Sequence, residues 1–289
     1  MRPAWRSRTR QDGSRLIRST RPAVVALLTA LLTAATTSAA WAASPAPAKA
    51  LGYDVSYPQC GKPLPTGGSF GIVGVTGGLA FSKNPCLATQ YRWATRMPNS
   101  AAVYVNTGNP APASNHYWPA SGSHDPALCK DNRSTTDPGC AYDYGWHAAA
   151  DAVATATSVA PATLRLTWWL DVETAPNWHG DGPSNAADLQ GALDYLRGHG
   201  VPTVGLYSTG YRWQAITGGY TASSAGRYKA AWAPEFAPQQ PMESVPLWIA
   251  TGGDAAAASA ACPTTFTGAP AWLAQYRDGG GRDANLVCG

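Results

Sequence analysis

Charge is scarce in this chain: 17 acidic and 21 basic residues among 289. The five histidines are scattered and no C-x-x-C spacing occurs, which argues against a zinc-type metal centre or a metal-dependent deacetylase. No G-x-G-x-x-G follows the first β-like run, so dinucleotide binding is not expected. No cofactor is implied by any other motif. Internal repeats and Pro/Ser-rich linkers are missing from the body of the chain, which reads as one domain. Past the N-terminal region, no apolar run is long enough to cross a bilayer.

What stands at the N-terminus is a leader. Residues 2–21 hold seven arginines and one aspartate, and an apolar run follows, ending in Ala40-Trp41-Ala42. A basic segment, an apolar segment and an A-x-A site describe a secretory signal peptide over 1–42. The alternative is an uncleaved membrane anchor. No adjacent Arg-Arg pair marks the twin-arginine route. Without the leader, 21 less 7 leaves 14 bases and 17 less 1 leaves 16 acids, a net charge of −2. The basic balance belongs to the leader, and nucleic-acid binding loses its support. The expectation is a secreted, extracellular, monomeric protein, with no membrane association after cleavage.

All six cysteines lie beyond the leader. An even count in a secreted chain suggests disulfides, and six cysteines allow about 15 connectivities. Proximity in sequence favours Cys60–Cys86, Cys129–Cys140 and Cys262–Cys288.

A flexible lead-in over 43–50 precedes eight β-rich runs: 51–57, 70–76, 101–106, 164–173, 202–208, 228–233, 246–251 and 271–276. Helical patterns fall at 84–98, 143–159 and 185–199. The segment 210–226 reads as a short helix at best, and 252–270 shows no clear helix. Strand and helix in alternation predict a parallel sheet with right-handed crossovers. Eight strands in the ~247 residues of the body suit an α/β fold, a single TIM-like (β/α)8-type barrel stapled by disulfides over 51–289. It is expected to be irregular in its later strands, where the helices are weakly patterned. An open doubly wound sheet is the structural alternative. The connection 107–142 is long, non-periodic and carries two cysteines; loops of that length are usually functional or disordered.

The run LRLTWWLDVE, 164–173, sets two scarce acids at the end of an apolar strand. Alternation puts Leu164, Leu166, Trp168, Leu170 and Val172 on one face, and Trp169, Asp171 and Glu173 on the other. The two acids then stand ~6.6 Å apart along the strand, from a rise of ~3.3 Å per residue. They sit at the C-terminal end, the active-site face of such barrels. Neighbouring carboxylates, helped by an apolar wall such as Trp169, push at least one pKa up. One protonated acid beside one anion is what glycoside hydrolysis uses. The bland reading is a solvated strand end or a salt-bridged pair, since D-x-E is common. Asp54 in GYDVSYPQ, on the first strand, and Asp283, just past the last, add two more acids. Closure of the barrel makes those strands neighbours.

These motifs together resemble glycoside hydrolase family 25, lysozymes with an irregular β/α barrel. The family's opening strand is matched by GYDVSYPQ and its D-x-E by LDVE. GLYSTGY, PLWIAT, WLAQY and Asp283-Ala284-Asn285 follow in the family's order, from about Leu51 to the C-terminus. The resemblance implies cleavage of the β-1,4 bond from N-acetylmuramic acid to N-acetylglucosamine in peptidoglycan. Glu173 would be the proton donor. Asp171 would stabilise the cationic transition state or orient the N-acetyl group, and Asp54 and Asp283 would complete the acidic cluster. Three departures surround the cleft, one of them the long, cysteine-bearing loop after the third strand, which is an addition to the family's pattern. The family's T-E-G after the second strand is Thr76-Gly77-Gly78 here, and the third strand ends in YVNTGNP instead of a Y-H-F type.

Flat aromatic rings cover the apolar faces of sugars. Candidate substrate contacts are Trp178, in the loop after Glu173, and Tyr104, Tyr207, Trp232, Trp248 and Tyr276 near strand ends. Core filling is the competing reading for all but Trp178, which has no obvious core to join. Asn106 and Asn109 read equally as substrate contacts or turn residues. The partner is expected to be peptidoglycan or another polysaccharide. A glycosidase for a different glycan and a non-catalytic carbohydrate-binding protein remain the alternatives.

Overall fold

A computed structural model of the chain describes residues 46–112, 115–120, 128–173, 178–232 and 240–289. The chain divides into two units, Met1–Trp41 and Ala42–Gly289. The signal segment expected over 1–42 lies outside the described residues. Part of the lead-in is described and is tied down: Lys49 N–H donates to Val287, Val287 N–H donates to Ala50, and Ala46 is buried.

Eight strands close into a single barrel in sequence order: β1 Leu51–Val55, β2 Phe70–Gly74, β3 Ala102–Asn106, β4 Thr167–Asp171, β5 Thr203–Ser208, β6 Leu247–Ala250, β7 Ala271–Arg277 and β8 Asp283–Val287. The helices are α1 Leu87–Ala94, α2 Pro138–Val159, α3 Gly182–Gly198, α4 Gly210–Thr217, α5 Ala225–Ala231 and α6 Ala255–Ala261. β1 to β7 pair in parallel, while β8 runs antiparallel to both β7 and β1. The barrel is thus an irregular (β/α)8-type barrel with its irregularity at the end of the chain.

Three local expectations are corrected. The run 228–233 is not a strand: its Ala- and Lys-rich part is good helix former and lies in α5. The run 271–276 is therefore the seventh strand, and the eighth, β8, follows a tight hairpin. Asp278 Oδ1 accepts the N–H groups of Gly280 and Arg282 there, the kind of Asp/Gly turn that announces a hairpin. Within 252–270, the alanine run forms α6, capped by Asp254, whose side chain accepts from Ala257 N–H.

The alternation expected for β4 is realised. Trp168, Leu170 and Val172 pack outward with the helices, and Trp169 packs inward with Phe70, Ile72, Tyr207, Trp248 and Leu273. Each fully buried Phe, Ile or Leu among these contributes about 1.5–3 kcal/mol. The indole of Trp169 fits because its neighbour across the β4–β5 ladder is Gly205, where a Cβ would fall 2.3 Å from the ring. Outside, α2 and α3 approach so closely at Gly145 and Gly191 that a Cβ there would meet Asp188 O at 1.9 Å and Tyr142 O at 2.1 Å.

The three disulfides are Cys60–Cys86, Cys129–Cys140 and Cys262–Cys288, as proximity predicts. The second bridges the long β3–α2 connection to the start of α2, where Asp137 caps the helix through Cys140 N–H. Among the described residues no helix is long and apolar enough to cross a membrane.

Candidate active site

The strand ends on one side of the barrel gather the acids. Asp54 points inward from β1 and is 8% exposed; Asp171 points inward from the last position of β4 and is 6% exposed. Burying two carboxylates in a wall of tryptophan and tyrosine is costly unless they are hydrogen-bonded or protonated. Both conditions are met in part.

Asp54 receives amides from the two last strands. Asn285 Nδ2 donates to its Oδ1 at 2.7 Å, and Gln275 Nε2 donates to both oxygens at 3.1 and 3.2 Å. These amides are themselves oriented. Trp248 Nε1 donates to Asn285 Oδ1 at 2.7 Å, and Tyr207 Oη donates to Gln275 Oε1 at 2.7 Å. Each amide therefore has its oxygen committed and turns its NH2 to the carboxyl. Burial raises the Asp54 carboxyl to about 7, the charge of Asp283 adds to this, and the two amides oppose it.

Asp171 is held from β3. Asn106 Nδ2 donates to Asp171 Oδ2 at 2.6 Å, while Asn106 Oδ1 accepts from Thr76 Oγ1 at 2.7 Å. Asp171 Oδ1 makes no hydrogen bond among the described residues. Burial lifts this carboxyl to about 7 too; Arg212 and Asn106 pull it down and Asp54 pushes it up. Asn106 is thus neither a turn residue nor a free polar group but the donor to Asp171. Asn109 is fully buried, with its amide bound to Asn185 Oδ1.

Glu173 lies two residues beyond the strand, at the rim, with a third of its side chain exposed (33%). Its carboxylate forms an ion pair with Arg212 of α4. Thr209 caps α4 one residue after β5, accepting Arg212 N–H at 3.0 Å, and this tight strand-to-helix turn brings Arg212 to the acids. Asp283 opens β8 opposite Arg277, whose Nε lies 3.1 Å from Asp283 Oδ1. Burial raises Asp283 and Arg277 opposes the rise.

The aromatic candidates divide. Tyr104, Tyr207 and Trp248 form the floor under the acids, with ring centroids 6.1 Å apart for Tyr104–Trp248 and 4.4 Å for Tyr207–Trp248. Trp178 does find a core: it packs against the outer layer, and its Nε1 donates to the Glu173 carbonyl at 2.7 Å. Trp232 ends no strand: it follows α5 and is buried, with its Nε1 donating to Pro183 O at the start of α3. Tyr276 alternates with Gln275, so it faces away from the barrel interior. Among the described residues no cluster of His, Cys, Asp or Glu could hold a metal.

Sequence reading met Thr76, Gln275 and Asn285 only inside motifs and gave them no role, and it did not name Arg212. The amides do leave a trace: each is a polar residue on the inward parity of an otherwise apolar strand. Arg212 leaves none.

The pattern of a family described as Lysozyme-like protein 1 matches residues 148–232, which run from α2 through Trp232 and include Asp171, Glu173 and Arg212. A protein of Dictyostelium discoideum named probable GH family 25 lysozyme 4 is 38% identical over 56 residues. The chain resembles glycoside hydrolase family 25. The aligned stretch is 19% of this chain and spans a quarter (25%) of that family 25 relative's length. In fold, the chain is similar to a muramidase from Trichobolus zukalii, with a TM-score of 0.50 at 15% identity over 83% of this chain and 94% of the other. A bacterial lysozyme from Streptomyces coelicolor aligns over 84% of this chain and 93% of its own, at 16% identity and a TM-score of 0.49.

Proposed function

We propose that the protein is a secreted glycoside hydrolase that cleaves the β-1,4 bond between N-acetylmuramic acid and N-acetylglucosamine in peptidoglycan. The observation that carries this reading is the set of acids at one barrel end, Asp54 and Asp171 deep and oriented by neutral amides, Glu173 at the rim. Glycoside hydrolysis needs one protonated and one ionised carboxyl, and acids held close together in surroundings this unlike, two buried and one at the rim, can divide those states between them. The names of the relatives, lysozyme and muramidase, point the same way.

In this reading Glu173 gives its proton to the glycosidic oxygen. Asp171, with Oδ2 held by Asn106, turns Oδ1 toward the sugar, to stabilise positive charge at the anomeric carbon or to orient the N-acetyl group. Asp54 and Asp283 set the field around them. Tyr104, Tyr207 and Trp248 supply a rigid floor. Residues 1–42 act as a signal peptide, and the three disulfides suit an oxidising exterior. A binding protein without catalysis would need no such tuned acids.

Digestion of purified peptidoglycan by the mature protein and by Glu173→Gln, followed by mass spectrometry of the fragments, tests this. New reducing ends on N-acetylmuramic acid, lost in the variant, are expected. No release by a folded wild-type protein would sink the muramidase reading.

A further inference from the structure

A carboxylate in an ion pair has no proton to give, and Glu173 meets Arg212 as an ion pair. Arg212 is also the charge that most opposes the rise of Asp171. More than a third of its side chain is exposed (36%), so a group arriving from solvent can reach it. A guanidinium carries about five N–H donors. Among the described residues, the contact with Glu173 is the one bond that those of Arg212 make. Beside it in sequence Tyr211 is 82% exposed, a flat ring open to solvent.

We propose that Arg212 is a recognition site for a carboxylate on the glycan, and that it exchanges Glu173 for that carboxylate when an acidic polysaccharide binds. The inference rests on the reading of the site as a glycosidase. Peptidoglycan provides the ligand chemistry: muramic acid bears a lactyl ether whose carboxylate is free or extended by a peptide with carboxylates of its own. Arginine suits the exchange because its planar fork binds one carboxylate as well as another, with little reorganisation. The substrate carboxylate takes over the pairing. Glu173, released, is free to take up a proton from solvent hydronium and pass it to the leaving oxygen, and the water that adds to the anomeric carbon returns a proton to solvent. A neutral glycan of the same linkage leaves Glu173 paired, so selectivity for acidic chains is built into the donor itself.

The test uses three substrates: glycan strands stripped of peptide, the same strands with their carboxylates reduced to alcohols, and strands that retain their peptides. The full-length mature protein is expected to show a KM at least about tenfold lower for one or both carboxylated substrates than for the reduced strands. Whichever carboxylated substrate is favoured identifies the lactyl or the peptide source. Arg212→Gln is expected to erase the difference by raising KM for the carboxylated strands to that of the reduced ones. Glu173→Gln, which frees the guanidinium, is expected to bind carboxylated strands up to about fivefold tighter than wild type in calorimetry, the worth of a half-exposed ion pair. A preference that survives Arg212→Gln, or a loss of kcat on all three substrates alike, would overturn the exchange and leave Arg212 a positioning residue. If no substrate is cleaved, the muramidase reading fails, and the same comparison made on dissociation constants still decides whether Arg212 reads carboxylates.

Discussion

Replacing Asn106 with leucine should produce a stability loss that grows with pH. Asn106 Nδ2 is the donor to Asp171 Oδ2, at 2.6 Å, and Oδ1 of the same carboxyl makes no hydrogen bond among the described residues. Leucine keeps the volume and removes the donor, so a buried carboxyl loses its amide. The wild-type carboxyl has its affinity for protons raised to about 7, above the value of about 3.9 in an unfolded chain. A group raised in this way favours the folded state in acid, and that support is lost as pH climbs toward the folded value. Asn106 limits the rise, so its removal extends the losing range upward. A hydrogen bond to a charged group is worth about 1.5–3 kcal/mol, which is roughly one to two pH units. At pH 5, where Asp171 is protonated in the fold, the variant should lose about 1 kcal/mol, a neutral hydrogen bond. At pH 8.5 the loss should reach about 1.5–3 kcal/mol, the worth of the bond to the charged carboxylate. Urea unfolding at the two pH values, with disulfides intact, reads both. A loss equal at the two pH values would mean that Asn106 acts by packing alone, and the argument from Asp171 would be wrong.

Other outcomes follow from the same geometry. Asp188 is buried between α2 and α3, its Oδ2 makes no hydrogen bond among the described residues, and burial raises its carboxyl well above the usual range. Asp188→Asn should therefore stabilise the protein near pH 7 and have little effect near pH 4; a gain equal at both would refute the titration. Gly205→Ala should destabilise by about 3 kcal/mol or more by overpacking Trp169 and Pro246 O, seen as a lower urea midpoint with unchanged slope. Removing Cys262–Cys288, which closes 26 residues onto β8, should cost about 3–4 kcal/mol if the chain-entropy account holds, and a far smaller loss would show that β8 stays docked without it. With Asp54 and Asp171 both raised, thermal stability should peak in mild acid and fall as pH rises to about 7; a midpoint rising over that range would contradict the burial of these acids.

Much of the barrel is readable locally because a strand's two faces alternate every second residue. The parity of LRLTWWLDVE separates Trp168 and Leu170 from Trp169 and Asp171 without any knowledge of neighbours. Cysteine spacing likewise anticipates three short bridges. The misplaced pieces were those where local pattern is ambiguous. YKAAW serves helix or strand equally, and the DANLV of β8 is short and follows three glycines.

The electrostatic character of the site belongs to another level. Gln275 and Asn285 reach Asp54 across 221 and 231 residues of chain, and Asn106 reaches Asp171 across 65. No periodicity extends over such spans: the closing of β1 on an antiparallel β8 brings Asn285, and with it Gln275 of the neighbouring β7, to Asp54, while the parallel β3–β4 ladder sets Asn106 opposite Asp171. The residue types and their alternation were therefore enough to say that acids stand at a barrel's mouth. Which amides and which arginine meet them was decided by the tertiary structure, because solvation and hydrogen bonding of a buried charge depend on what the rest of the chain packs against it.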